Sequence, residues 1–529
     1  MGGPAIAEET RQYIKGARLH AIVAALCLCL FLTNLEIPIV STALISITSE
    51  LGGLGKIYWI TTAYMLGYVG VLIISGKVSD ICGRKSTLLV LVFIFTVFSG
   101  ACGAAQTIEQ LIICRALQGI GGAGNYTLCM AITTELVPPV KYAKYASLMS
   151  IVYGFSLLLG PILGGTISQS STWRWIFLLN VPPAALAGVV LAFALPAGFP
   201  HHYERQQQPT NTSLRRDFLW QTIRRLDILG SSMLLVATTL LVTALEEANQ
   251  DYQWRSAFTI TLFAVSGLTW VVFLAWERRV TLYSKHVEPV FPWRFIQKRV
   301  WVGMLLNSIC LGAVWFATMF QLPQRFQIVN QLSPLQAAVR FVPFTVAAPL
   351  GSMLSPAIAK LLKLPLLYLV LFASAVQVVS YALLGTLSES LSISASQYGY
   401  QIIAGFGCGI NITLLVVMTP LTVEERDNAV AMGAVAQFRV MGGCIGIAIV
   451  TAVANGYLQS HLQQVLGPDE LRAVLQSAAD LSTLSPADQG TVRGAFSASY
   501  NLQMKILTGF AGGQVFASLL MWQEKQITL

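Results

Sequence analysis

The chain is predicted to be an all-α polytopic membrane protein of about fourteen transmembrane spans, on three observations. Of its 529 residues, 55% are hydrophobic and only 11% charged, with a mean hydropathy of +0.65, too little charge to cover a water-soluble protein of this size. Apolar runs of roughly 20 residues, the length that crosses a hydrocarbon core as a helix, recur along the whole chain. The segments between them are mostly short, with lysine and arginine gathered on alternate ones.

The runs fall at 19–45, 57–76, 86–105, 109–133, 144–168, 174–195, 227–245, 257–277, 299–323, 335–359, 364–387, 396–420, 428–453 and 501–522. Basic residues concentrate before the first span (Arg11, Lys15, Arg18), in 196–226 (Arg205, Arg215, Arg216, Arg224, Arg225) and in 278–299 (Arg278, Arg279, Lys285, Arg294, Lys298, Arg299). An even span count with both termini cytoplasmic satisfies the positive-inside bias, and a shift by one span would invert it. The formal charge of +9 is then a topology signal rather than a nucleic-acid-binding patch. Nine cysteines lie mostly within apolar runs with no C-x-x-C pair, so neither a disulfide framework nor a metal site is expected. The polar N-terminus leads straight into the first span, without a cleavable signal. Sequons at Asn125, Asn211 and Asn411 lie in spans or an inner loop, where no glycan is expected.

Span 1 carries Glu36 and Pro38. A carboxylate in a span is costly unless it is paired, neutralised or hydrated. Burial disfavours the charged form, which suits a group that takes up and releases a proton; the alternative is a structural partner for a buried arginine. Pro38 interrupts the helix ladder and frees carbonyls toward a cavity. Between spans 2 and 3, the stretch Gly76-Lys77-Val78-Ser79-Asp80-Ile81-Cys82-Gly83-Arg84-Lys85 is expected to reverse the chain in a loop of about ten residues. Gly76 and Gly83 would permit the tight backbone. Asp80 would accept from Arg84 or from free N–H groups of the next helix.

Span 4 contains Arg115 and Gln118, followed by Gly119, Gly121 and Gly124. The glycines spell G-x-G-x-x-G, but no strand precedes them, so close helix packing explains them better than dinucleotide binding. Arg115 needs buried acceptors. In span 5, Gly160 and Gly164 suit close helix contact, and Pro161 a kink, within a run that also holds Gly154 and Gly165. Trp173 and Trp175 at the start of span 6 suit an interfacial anchor. Spans 7 and 8 carry no strong motif and are joined by a loop with Glu246, Glu247 and Asp251. Gln321 in span 9 is a candidate cavity residue or a helix-end polar group. Asn411 in span 12 is a candidate substrate contact or a tie between helices. The outer segment 454–500 has Leu458/Leu462/Val465/Leu466 and Leu471/Val474/Leu475 spacings, which predict short amphipathic helices capping a mouth.

The order G-x-x-x-D-x-x-G-R-K at 76–85 resembles the loop signature of the major facilitator superfamily. The order G-x-x-x-x-x-G-P-x-x-G-G at 154–165 resembles the antiporter signature of its drug-exporting members. The stretch 35–44, the R-x-x-Q-G spacing at 115–119 and the phrase 173–182 resemble the fourteen-span drug:proton antiporters of fungal multidrug and toxin efflux type. This resemblance covers nearly the whole chain, with its sharp motifs in the first six spans. It implies a major facilitator fold of two six-helix bundles, 19–195 and 299–522, with two inserted helices at 227–277. Cytoplasmic segments would be 1–18, 196–226, 278–298 and 523–529, and the outer loop 454–500 would belong to the second bundle.

The resemblance also implies roles. Gly76, Asp80, Gly83, Arg84 and Lys85 would form a cytoplasmic latch, and Glu36 would couple protons with Arg115 tuning it. Gln118 and Arg439, the latter on a glycine-rich face of span 13, would be cavity or gating residues. The implied activity is proton-coupled export of lipophilic drugs, toxins or secondary metabolites by alternating access. It would take place at the plasma membrane, with a vacuolar or other internal membrane as the alternative. Partners would be a small molecule, protons and lipid, with no cofactor, metal, nucleic acid or ATP. The rival readings are a siderophore or basic amino acid transporter, or a non-transporting sensor. No H-E-x-x-H, nucleophile motif or paired catalytic carboxylates appear in the spans, so an enzyme is not expected.

Overall fold

The computed structural model describes residues 13–528 apart from 42, 52–58, 201–224, 249–253, 285–286, 388–391, 464, 468–469 and 471–484. The loop 201–224 with Asn211, Lys285, Asp251 and the predicted helix at 471–475 lie outside the described residues.

Fourteen long helices are present among the described residues: α1 Gly16–Ser41, α2 Trp59–Cys82, α3 Arg84–Ala104, α4 Ile108–Glu135, α5 Tyr142–Ser170, α6 Val181–Ala194, α7 Ile228–Glu247, α8 Ala257–Tyr283, α9 Arg299–Ile328, α10 Pro334–Leu362, α11 Leu366–Leu384, α12 Ser396–Thr422, α13 Asn428–Leu462 and α14 Pro486–Leu520. Twelve spans are long and apolar enough to cross a membrane; the short helix Arg174–Leu178 joins α6 in one of them. The two exceptions, α4 and α14, are polar for a reason. Helix α4 is enclosed by its neighbours along most of its length, so it needs no apolar surface for lipid. Helix α14 starts on a polar extension and buries Asn501, Gln503 and Gln514 inside the protein.

Helices α1 to α6 pack among themselves, as do α9 to α14, and the two groups meet along α2–α13 and α5–α10. Helix α7 lies against α2 and α13, with Leu235 occupying the space over Gly70, and α8 packs on α7. Ser266 Oγ donates to the Ala237 carbonyl at 2.9 Å across that hairpin. The outer side of α8 shows Leu268 and Val271, as a lipid-facing surface should. Arg18 reaches Ala194 O, Arg299 reaches Trp522 O, and Leu366 N reaches Ile527 O. Both described ends of the chain therefore lie on one face, called here the terminus face; the opposite one is the distal face.

Two expectations are corrected. The reversal at 76–85 is not a ten-residue loop. Helix α2 runs through Cys82 and α3 starts at Arg84, so Gly83 alone turns the chain, at φ 95° and ψ 144°, a conformation only glycine adopts without strain. Gly76 sits within α2 and serves close approach instead. A Cβ there would lie 2.6 Å from the Ala429 carbonyl oxygen of α13.

Segment 454–500 is the second correction. Helix α13 continues to Leu462 and α14 begins at Pro486, so both project beyond the expected span ends. Leu458, Leu462 and Leu466 pack against Val329, Val492, Phe496 and Tyr500. Leu458 and Leu462 thus belong to the extension of α13, which has the same 3.6-residue period as a separate amphipathic helix, and Leu466 follows just past its end. Of the two tryptophans opening span 6, Trp175 is exposed; Trp173 is buried and donates to Glu50 at 2.8 Å.

Candidate functional site

A cavity of about 1400 Å³ lies between the two helix groups. Its floor is mid-helix, at Tyr68, Tyr126, Tyr153, Trp315 and Arg439, and its walls rise to helix ends such as Ser46, Thr61 and Asn455. It opens toward the distal face. Pro38 of α1 and Pro161 and Gly165 of α5 line it, and a Cβ on Gly160 would press on Pro38 at 2.5 Å. Gly160 thus lets α1 and α5 stand side by side in one wall. Gly154 performs the same service across the groups, since a Cβ there would meet Pro349 of α10 at 2.7 Å.

Behind that wall is a buried charge cluster. Glu36 and Arg115 both have fully buried side chains, and Arg115 Nη1 donates to Glu36 Oε1 at 2.6 Å. Asn180, at the start of α6, donates Nδ2 to Glu36 Oε2 at 2.5 Å. Arg115 also donates to Gln118 Oε1 at 2.7 Å and to the Ile60 carbonyl at 3.1 Å, and its guanidinium lies 4.4 Å from the Tyr64 ring centre. Gln118 passes the chain on to Ser99 Oγ at 2.8 Å. Removing both charges from water is costly, and the short contacts with two amides around the pair offset that cost. Helix α1 places Asn34, Ile37 and Pro38 on the cavity while Glu36 points into the first helix group. Five helices, α1, α2, α3, α4 and α6, converge here because the α4 glycines remove bulk: a Cβ at Gly121 would collide with the Phe95 backbone of α3, and one at Gly119 or Gly122 with Tyr64 of α2.

The terminus face is closed. Arg84 bonds Asp80, donates to Ser79 Oγ at 2.8 Å and forks onto Glu135 at 2.8–3.2 Å. Asn428 of α13 donates to Thr134 at 3.1 Å and to Glu135 at 3.3 Å, so the Arg84 cluster reaches the second helix group through Glu135. Lys85 Nζ caps the end of α6, donating to Ala192 O and Leu195 O at 2.6 Å each. Further up, Ser147 donates to Ser352 O at 2.8 Å and Gln437 accepts from Ile73 N at 3.2 Å. Three ion pairs tie down the linker before α9: Lys77–Glu288 at 2.6 Å, Arg225–Glu288 with an Nε contact of 3.0 Å, and Arg294–Asp427, whose Nε contact is 2.8 Å. Burial pushes the half-buried Glu288 carboxyl up, but hydrogen bonds from Lys77 and Arg225 outweigh this and hold it below the usual range.

Gln321 and Arg439 line the cavity. Asn411 stands away from it, donating to Ser374 at 3.0 Å and to Gln514 at 2.8 Å, which ties α12 to α11 and α14. Gln118 belongs to the Glu36 cluster rather than to the lining. Asn180, Glu135 and Tyr126 were not singled out from sequence. Asn180 carried a signal, as a lone amide in the apolar run 176–195; an aromatic such as Tyr126 within a span is too ordinary to give one.

The family model described as Major Facilitator Superfamily matches residues 26–280 and 228–447. The chain is 39% identical over 520 residues to the MFS-type transporter FPY5 of Fusarium mangiferae, covering 98% of this chain and 86% of that one. It is 31% identical over 452 residues to the MFS-type efflux pump LUC4 of a Fusarium species, covering 85% and 76%. Among solved structures it resembles the human organic anion transporter MFSD10 (TETRAN), with a TM-score of 0.58 at 14% identity over 96% of this chain and 100% of that one; at that identity the likeness speaks for the fold alone. Fold, family match and relatives agree: the chain belongs to the Major Facilitator Superfamily and is a multi-pass membrane transporter, not an enzyme.

Proposed function

We propose that this protein is a proton-coupled antiporter that exports lipophilic small molecules, of secondary-metabolite or drug type, by alternating access. With the termini cytoplasmic, the distal cavity faces outward and the closed terminus face is the sealed inner side. Several relatives carry the name efflux pump, among them the rubrofusarin-specific pump of Gibberella zeae, at 27% identity. The observation that carries the coupling is Glu36, buried with Arg115 one side-chain layer behind a wall to which its own helix contributes Asn34 and Pro38. Protonation from the outer cavity would release Glu36 from Arg115, loosen the first helix group, and be reversed when the site faces inward. The mixed aromatic and aliphatic lining suits a lipophilic cargo. No aspartate or glutamate occurs among the described lining residues, which argues against a basic amino acid.

The test is flux in proteoliposomes under an imposed pH gradient, with lipophilic compounds as cargo. Wild-type protein is expected to concentrate cargo against its gradient while the proton gradient lasts. Glu36→Gln, neutral in all states, is expected to keep downhill exchange and lose gradient-driven accumulation. Equal accumulation by both proteins would remove Glu36 from the coupling role.

A further inference from the structure

Arg439 is the single charged residue among the described residues lining the cavity, and it is only 4% exposed. Its Nη2 donates to the Tyr126 hydroxyl, and its guanidinium lies 5.7 Å from that ring centre. The other groups that bear on it are the phenols of Tyr153 and Tyr68; no carboxylate is among them. A guanidinium taken out of water wants an anion, and a neutral phenol answers only part of its charge and one of its five N–H groups.

The other buried arginines set the comparison, and Arg84 has Asp80 and Glu135 as counter-ions. Arg115 has Glu36 as its counter-ion, two further acceptors and an aromatic face. Arg325, also without a carboxylate, donates to Asn501 at 2.7 Å and Ser497 at 3.4 Å, and stands off the cavity. Among the described buried arginines, Arg439 alone combines a missing anion with an open side toward the 1400 Å³ space. Around it the floor is aromatic: Tyr153 and Trp315 lie 6.0 Å apart, and Tyr68 and Tyr126 6.4 Å. Such a floor takes a flat apolar body while the guanidinium takes a charge.

We propose that the cargo is an organic anion, a lipophilic and partly aromatic body bearing one acidic group, and that this group binds Arg439 in place of the Tyr126 hydroxyl. The proposal rests on the export reading for its direction of transport, but the binding preference does not depend on it. It also assigns the Arg439–Tyr126 bond a second role. That bond crosses from α13 to α4, so an anion that takes over the guanidinium removes a tie between the two helix groups at the cavity floor.

The experiment uses three probes with one aromatic body: pyrenebutyrate, pyrenebutanol and pyrenebutylamine. Each is titrated by fluorescence against the full-length protein in nanodiscs without a pH gradient, with empty nanodiscs subtracted. Wild-type protein is expected to bind the anion at least about tenfold more tightly than the alcohol, the scale of a hydrogen bond to a charged group, and to disfavour the amine. Arg439→Lys keeps that order, while Arg439→Gln brings anion and alcohol together. Equal binding of the three by wild type, binding of none, or an anion preference that survives Arg439→Gln would overturn the proposal. The two readings fail separately. Anion-selective binding without gradient-driven flux would leave this proposal standing and remove export; accumulation of the alcohol with no anion preference would do the reverse.

Discussion

Glu36 and Arg115 hold each other in place, and that mutual dependence is measurable. Arg115→Ala would leave a buried carboxylate with amides alone, a loss expected to destabilise the protein by about 3–5 kcal/mol. Replacing both together, Glu36→Leu with Arg115→Met, removes the unpaired charge and is expected to recover most of that loss. Thermal unfolding in detergent compares the two; a double variant no more stable than Arg115→Ala would mean the pair is not the reason for the loss. Each residue was legible in the sequence because a charge in a span is expensive wherever it occurs. Their contact was not legible. They stand 79 positions apart, and their meeting depends on how closely α1 and α4 approach, which the glycines near Gly119 allow but do not by themselves locate.

The corner between α2 and α3 and the packing of α2 on α13 put two glycines of one motif to different uses. Gly83→Ala is expected to cost about 1–3 kcal/mol, because the residue must keep a backbone conformation closed to side chains; unfolding again reads it. Gly76→Leu acts between the helix groups. A Cβ 2.6 Å from the Ala429 carbonyl forces α2 and α13 apart, so the terminus face should open more often. A cysteine introduced at Asn428 should then react several-fold faster with a membrane-impermeant maleimide reaching that face, and an unchanged rate would show that closure there does not need the close contact. The sequence motif marked both glycines but not their different uses. Helices carry polar side chains readily where they leave the membrane, so a polar stretch between two apolar runs does not show where helix ends. The same ambiguity hid the length of α13, whose Leu458/Leu462 spacing fits a continued helix as well as a separate one.

Across the whole molecule, the two helix groups are joined on the terminus face and parted on the distal face, the arrangement expected of one access state in the proposed alternating-access cycle. Glu288 contributes to the joined side. Its carboxyl lies below the usual range in the folded protein, so its contribution is full above the ordinary glutamate value of about 4.3 and is lost as pH falls through the depressed value. The stability difference between wild type and Glu288→Gln should therefore be steady near neutral pH and shrink in acid; a difference that grows in acid would reverse the assignment. The linker holding Glu288 is anchored at Lys77 on one side and, through Arg294, at Asp427 on the other. Drawn out fully, the cord from 288 to 294 reaches about 20 Å. It therefore works as a limit stop: the terminus face can gape only as far as that short cord pays out, and any wider opening must first cast off its hold on Lys77 or on Asp427.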